Sequence, residues 1–188
     1  LDRPTPRRSC LYMPGANARA LEKARSLPVD VVIMDLEDAV APDAKSLARE
    51  QVVTALREGG YAPRECWVRI NGDDSPDCAD DIAALAQVTP DAVLVPKVSQ
   101  PAQLFSLRSQ LAQYPALESV ALWAMIETAE GIVHLADLAA VADHVGLAGF
   151  VVGTNDLIKE LRLLNDSSRT ALLPLLSPII VGVVLGPK

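Results

Sequence analysis

The 188-residue chain is half hydrophobic but only 4% aromatic, so its core must be packed from Ala, Val, Leu and Ile. Seventeen basic against twenty-four acidic residues leave a formal charge of −7, which excludes the broad basic face that non-specific nucleic-acid binding needs. A phosphorylated ligand stays open to it, because a local Arg/Lys cluster coexists readily with an acidic chain.

Ser9 to Met13 (SCLYM) reads as a short strand stopped by Pro14-Gly15. Asn17 is placed to cap a helix with Leu21, Ala24 and Leu27 on one side, and Pro28 ends it. Val31-Val32-Ile33-Met34 is a continuous apolar run without polar alternation, as expected for a parallel strand buried on both faces. It turns abruptly acidic at Asp35, Glu37 and Asp38. Three carboxylates in four residues cannot all be buried unpaired, so they must face solvent, cationic partners or a metal. Pro42-Asp43 opens a helix with Asp43 as its N-cap. Ala44, Leu47, Ala48, Val52 and Ala55 form the inner face, and Gly59-Gly60 stops it.

Glu65 to Asn71 (ECWVRIN) is a third strand, polar at its end through Arg69 and Asn71. Gly72 to Pro76 is a loop, and Ile82, Leu85 and Ala86 suit a short amphipathic helix. Ala92 to Val98 (AVLVPKV) is a fourth strand with Lys97 near its end. Ser99 and Pro101 then open a helix with Leu104, Leu107 and Leu111 inward. Val120 to Thr128 (VALWAMIET) is a fifth strand ending at Glu127. Ile132 to Val141 reads as one almost wholly apolar helix, and Gly149 to Leu157 (GFVVGTNDL) as a sixth strand ending at Asp156. In the tail, Pro174 and Pro178 break any long helix, and Val181 to Leu185 suits one more strand.

Strand alternating with helix implies an α/β fold with a parallel sheet. Each strand is apolar until its C-terminal end, where it delivers Asp35/Glu37/Asp38, Arg69/Asn71, Lys97, Glu127 or Asp156. Polar residues from many strand ends converge most naturally at the top face of a (β/α)8 TIM barrel. A doubly wound open sheet is the runner-up, although no GxGxxG or GxxxxGK[ST] fingerprint occurs. The whole chain, 1–188, reads as one barrel domain. Against the roughly 250 residues typical of the fold, its C-terminal part is incomplete in this numbering. Cys10, Cys66 and Cys78 form no CxxC pair and suit small buried hydrophobes in a reducing cytosol. Leu1 to Ser9 is too polar and Pro-rich for a signal peptide, and no apolar run approaches the roughly 20 residues of a membrane span. A cytoplasmic protein without membrane or nucleic-acid partners is therefore expected.

Six segments together, RRSCLYMPG at 7–15, DLEDAVAPDAKSLAR at 35–49, VRIN at 68–71, VPKV at 95–98, AMIETAEG at 124–131 and VVGTNDL at 151–157, resemble the HpcH/HpaI aldolase and citrate lyase β-subunit family, in its CitE-like branch. The family's last two barrel strands have no recognisable counterpart in the tail. The resemblance implies a Mg2+-dependent carbon–carbon lyase, with Mn2+ as the alternate ion. Its substrate would be a 3-hydroxyacyl thioester of the citryl-CoA, malyl-CoA or citramalyl-CoA type, on CoA or an acyl carrier. It implies Glu127 and Asp156 as metal ligands, Arg69 as the clamp on a substrate carboxylate, and a homo-oligomer, trimer or hexamer.

The chemistry of these residue types agrees. Retro-Claisen cleavage requires a 3-hydroxyl to lose its proton, the departing oxo acid to be held and polarised, and the thioester enolate to be stabilised. Two carboxylates suit Mg2+, which keeps sites for water and substrate oxygens. An arginine fork grips a carboxylate with two parallel hydrogen bonds. Glu37 or Asp38 is expected to orient Arg69 or a metal-bound water, with Asp35 structural. Arg7, Arg8 and Lys45 are candidates for the phosphates of the carrier, and Gly153 and Thr154 for lining the site closely. Lys97 is a candidate for pairing behind the site, and His134 and His144 are expected to be bystanders. A metal-dependent aldolase on free 2-oxo acids and an accessory subunit of a larger lyase complex are the competing functions.

Overall fold

The computed structural model describes residues 6–185. Six parallel strands run in sequence order across one sheet: β1 (Cys10–Pro14), β2 (Val31–Asp35), β3 (Glu65–Arg69), β4 (Ala92–Val95), β5 (Ala121–Ile126) and β6 (Leu147–Val152). Between them lie α1 (Ala18–Ala24), α2 (Lys45–Glu58), α3 (Asp77–Leu85) and α4 (Pro101–Leu111). The β5–β6 crossover is α5 (Ala129–Val133), α6 (Leu135–Ala140) and α7 (Ala142–Val145), and β6 is followed by α8 (Thr154–Glu160) and α9 (Leu173–Leu185). β2, buried along its whole length, sits between β1 and β3 in the register Pro14↔Asp35↔Arg69.

The sheet is curled. In a flat sheet β1 and β5 would stand about 19 Å apart, at about 4.8 Å per strand. Instead the Tyr12 hydroxyl on β1 lies 3.8 Å from the Met125 sulfur on β5. The concave side is a small core of its own, with Val31, Ile33, Trp67, Ala92, Leu94 and Met125 buried together. The convex side packs on the helices through the larger aliphatic core. This is the inner and outer layering of a TIM barrel, with six of its eight strands present among the described residues. Trp67 and Trp123 fill the lower interior with ring centroids 4.5 Å apart. A Cβ on Gly149 would lie 2.6 Å from the Trp123 ring, so only glycine fits beside it on β6. No helix among the described residues is long and apolar enough to cross a membrane.

Local chemistry explains the element ends. Asn17 accepts from the N–H of Ala20 at 3.0 Å and caps α1, and Gly59, at φ 69°, terminates α2. At the start of α4 the Gln103 side chain reaches back and accepts the Gln100 N–H at 2.9 Å, with Pro101 in the first turn. Asp43 is not the N-cap of α2: Pro42–Ala44 form a 3-10 turn and α2 begins at Lys45, so the extra tight turn displaces Asp43 from the capping position. Leu47 is half exposed because α2 turns it away from the sheet. The apolar stretch 132–141 is broken at His134 and Val141, whose ψ angles of 12° and 0° leave the α-helical range. The sixth strand ends at Val152, and Thr154 starts a helix. Val181 to Leu185 belong to α9 and not to a strand. Pro174 sits in its first turn, where no N–H is needed, and Pro178 is accommodated within it.

Candidate active site

The strand order sets the geometry of the mouth. Asp35 and Arg69 are register partners on neighbouring strands and face the same side. The Arg69 Nε donates to Asp35 Oδ1 at 2.8 Å and an Nη donates to Oδ2 at 2.5 Å. The remaining Nη faces Glu37 Oε2 at 3.1 Å and the Met125 sulfur at 3.8 Å, and the guanidinium carbon stacks 5.0 Å from the centre of the Tyr12 ring. Burial alone would lower the Arg69 pKa; the Asp35 hydrogen bonds and the charges of Asp35 and Glu37 outweigh it and raise it, so the group is held as a cation. Asp35, expected to be structural, is thus the residue that fixes Arg69, with Glu37 as a second partner.

Glu127 follows β5 and is buried. Its Oε1 accepts the backbone N–H of Lys97 at 2.8 Å, whereas its Oε2 is buried without a hydrogen-bond partner. Burial pushes its carboxyl up to about 7, and the charges of Asp156 and Glu37 add to that. Gly153 makes this placement fit: a Cβ there would lie 2.3 Å from Glu127 Oε2 and 2.5 Å from its Cβ. The glycine was expected to admit a ligand; it admits the Glu127 side chain. Asp156 projects from the first turn of α8, one turn beyond the strand end anticipated for it.

These groups surround a cavity of about 440 Å³. Asp38, Arg69, Glu127, Gly153, Thr154 and Asp156 all line it, and Tyr12 and Met125, which sequence patterning did not single out, close its inner wall. A larger groove of about 710 Å³ lies on the outside between α1 and α2 and contains none of the strand-end polar residues. Glu37 stands behind the cavity between Arg69 and Lys97, whose ammonium is 2.5 Å from Glu37 Oε1 and 3.5 Å from Asp38 Oδ1.

Three candidates for carrier phosphates take other roles. Arg8 precedes β1, at the opposite end of the barrel from the mouth, and is held by Asp30 through its N–H, Nε and Nη at 2.8, 3.1 and 2.9 Å. Arg7 lies at the same lower end, donates to Glu65 at 2.8 Å and stacks over Trp67 and Trp123. Lys45 is near the mouth, but its three donors are spent on the carbonyls of Leu36 and Glu37 and on Asn71 Oδ1, at 2.7, 2.8 and 2.7 Å. It braces the turn after β2. His134 faces Asp137 at 3.3 Å on a helix surface, His144 is exposed, and neither lines the cavity.

A magnesium ion fits the donor set. Glu127 and Asp156 offer hard oxygens, and the unpartnered, buried Glu127 Oε2 lacks a cation or donor that its surroundings do not supply. Among the described residues no cluster of three or more His, Cys, Asp or Glu side chains is arranged to enclose a metal by itself. Two carboxylates with open positions suit Mg2+, which retains water and substrate oxygens.

The family profile described as HpcH/HpaI aldolase/citrate lyase matches residues 8–182. A (3S)-malyl-CoA thioesterase of Cereibacter sphaeroides is 47% identical over 156 residues, 83% of this chain and 52% of its own length. The chain thus spans about half the length of the curated relatives it matches. A citrate lyase β subunit from M. tuberculosis, solved with oxaloacetate and magnesium, superposes with a TM-score of 0.72 at 31% identity, over 94% of this chain and 74% of that one. The CitE protein of Mycobacterium tuberculosis with magnesium, acetoacetate and coenzyme A gives 0.74 at 30% identity, over 95% and 63%.

Proposed function

The chain belongs to the HpcH/HpaI aldolase/citrate lyase family, and from that premise we propose that it is a Mg2+-dependent lyase domain. It would cleave the carbon–carbon bond of a short 3-hydroxyacyl-CoA thioester of the malyl-, citramalyl- or citryl-CoA type. One observation carries the proposal: the buried, partnerless Oε2 of Glu127, beside Asp156, at the wall of a cavity that also holds Arg69. The magnesium and coenzyme A bound by structural relatives lend it support.

Glu127 and Asp156 would hold the cation, which would supply Lewis-acid charge to substrate oxygens. Arg69, which lines the cavity, offers its positive charge to a substrate carboxylate, while Asp35, holding its Nε and one Nη, prevents the fork from rotating. Glu37 aligns Arg69 from behind. Asp38, at the exposed rim, orients water beside the reacting hydroxyl. Tyr12 and Met125 keep the inner wall dry. Thr154 lines the same wall and is a substrate contact. Cys66 and Cys78 are buried but Cys10, expected to be buried with them, is exposed; a reducing, cytoplasmic setting is part of the same reading. A homo-oligomer, trimer or hexamer, belongs to the same reading.

The name of the Cereibacter relative raises a second reading, thioester hydrolysis. One assay separates the two. With malyl-CoA, citramalyl-CoA and citryl-CoA, with and without Mg2+, carbon–carbon cleavage releases an oxo acid and leaves the acyl thioester intact. Hydrolysis releases free CoA thiol and a hydroxy acid. The expected result is Mg2+-dependent oxo acid with no stoichiometric thiol. Thiol release without oxo acid would replace the proposal with the second reading.

A further inference from the structure

Three features meet at Lys97. Its backbone is left-handed, at φ 53°, a conformation unfavourable for a residue with a side chain and kept only where the surroundings impose it. Its N–H makes the one hydrogen bond that Glu127 accepts among the described residues. Its ammonium pairs with Glu37 and Asp38 while about half of the side chain stays in solvent. Resting on the Mg2+ reading above, we propose that Lys97 is a positioning residue of the cation site with two separable tasks. Its left-handed N–H turns Glu127 so that only Oε2 faces the cation, and its ammonium keeps Glu37 on Arg69 and off that cation.

The first task follows from geometry. Glu127 accepts one hydrogen bond, at Oε1 from the Lys97 N–H, which commits that oxygen to the backbone and leaves Oε2 as the one without a partner. Were the peptide before Lys97 to leave the left-handed region, the N–H would swing away and Glu127 would lose its orientation. The second task follows from charge. Glu37 puts Oε1 on the Lys97 ammonium and leaves Oε2 3.1 Å from an Arg69 Nη, attracted by its charge but not hydrogen-bonded to it. Without the ammonium, a third carboxylate beside Glu127 and Asp156 would turn to the cation and occupy a position meant for substrate. Loss of the ammonium should therefore tighten Mg2+ and weaken substrate, two opposite movements that a residue of purely structural value would not produce.

The test is calorimetric titration of Mg2+ into wild type, Lys97→Gln, Lys97→Gly and Lys97→Val, with KM for the best thioester measured at saturating Mg2+. Glycine accepts the left-handed backbone freely and a β-branched residue resists it. The Mg2+ dissociation constant should fall several-fold in Lys97→Gln and Lys97→Gly while KM rises. Lys97→Val should bind Mg2+ on the order of tenfold more weakly than Lys97→Gly. If Lys97→Val does not melt cooperatively, Lys97→Ala takes its place, since it too carries the Cβ that opposes the left-handed region. Unchanged Mg2+ affinity in Lys97→Gln overturns the ammonium's task. Equal affinity in the glycine and valine (or alanine) variants overturns the backbone's task. Wild type that binds no Mg2+ brings down the parent reading and this one with it, whereas wild-type binding with unresponsive Lys97 variants overturns this one alone.

Discussion

At the scale of single residues, Glu127 governs how the mouth responds to pH. Its folded-state carboxyl sits near 7 against an ordinary value of 4.5, through burial first and then the charges of Asp156 and Glu37. A carboxyl raised in the folded state favours folding when protonated and opposes it when ionised, so its contribution is lost as pH rises from about 4.5 through about 7. In metal-free protein, Glu127→Gln should melt above wild type at pH 8, with the gap shrinking toward pH 5. Saturating Mg2+ should reverse the order at pH 8. A gap independent of pH would show that Glu127 is not the group that titrates. Gly153→Ala tests the same placement sterically: the new Cβ would collide with Glu127 Oε2, so Mg2+ affinity should drop by tenfold or more in a folded protein, as seen by calorimetry beside circular dichroism. Arg69→Lys keeps a charge but loses the planar fork that Asp35 grips. Its kcat/KM should fall on the order of a hundredfold, about 2.7 kcal/mol at the transition state, with Mg2+ affinity little changed. The residue types in the mouth were legible as polar endings on apolar strands. Which carboxylate holds Arg69 was not, because the Asp35–Arg69 contact is fixed by the register of β2 against β3, and register is a property of the sheet.

At the scale of elements, the ends of β2 and β3 are tied to the helices by a buried polar chain. Arg49 on α2 donates to Asp81 on α3 at 3.1 Å. Asp81 Oδ2 accepts from the backbone and side chain of Asn71 at 2.8 and 2.7 Å, and Asn71 Oδ1 accepts from Lys45. Asp81 is fully buried, so Asp81→Ala strands two Asn71 donors and part of the Arg49 charge. The expected loss is about 3 kcal/mol, at the lower end of the range for a broken buried pair, because Arg49 keeps Asp77. Urea unfolding with an unchanged m-value would measure it, and a loss under 1 kcal/mol would show that the chain is not under load. The first five strands and α1, α2 and α4 were readable because their apolar periods are long and Asn17, Gly59 and Pro101 mark their bounds, whereas the start of α2 was not, since no side chain caps it. The β6–α8 junction was misread because the apolar run 150–152 flows into Gly153-Thr154-Asn155-Asp156, where the polar residues form a helical turn and not a strand end. Lys45 suggested a phosphate contact because nothing local in the sequence announces that Leu36, Glu37 and Asn71 converge on it.

At the scale of the whole molecule, the curl of the sheet brings residues 12, 69, 127 and 156 to one cavity, though they are spread over 145 positions of the chain. Only a closing barrel does this; in an open sheet Tyr12 and Met125 would not meet. The alternation of strand and helix made the fold class legible in advance, whereas the lower end of the barrel was not. Arg7 and Arg8 belong there, stacked on the Trp67–Trp123 pair and paired with Asp30, and no pattern in the sequence marks which end of a strand its flanking residues serve. Light scattering at micromolar concentration should give more than one chain per particle, and a monomer would count against the proposed homo-oligomer. The proposed lyase chemistry depends on one cation held by Glu127 and Asp156 together. The most direct measurement is calorimetric titration of Mg2+ into wild type, Glu127→Ala and Asp156→Asn, with oxo-acid release from the thioester followed in the same samples. One Mg2+ site in wild type, lost together with oxo-acid release in both variants, is the predicted result; wild-type Mg2+ binding retained in both variants would contradict it.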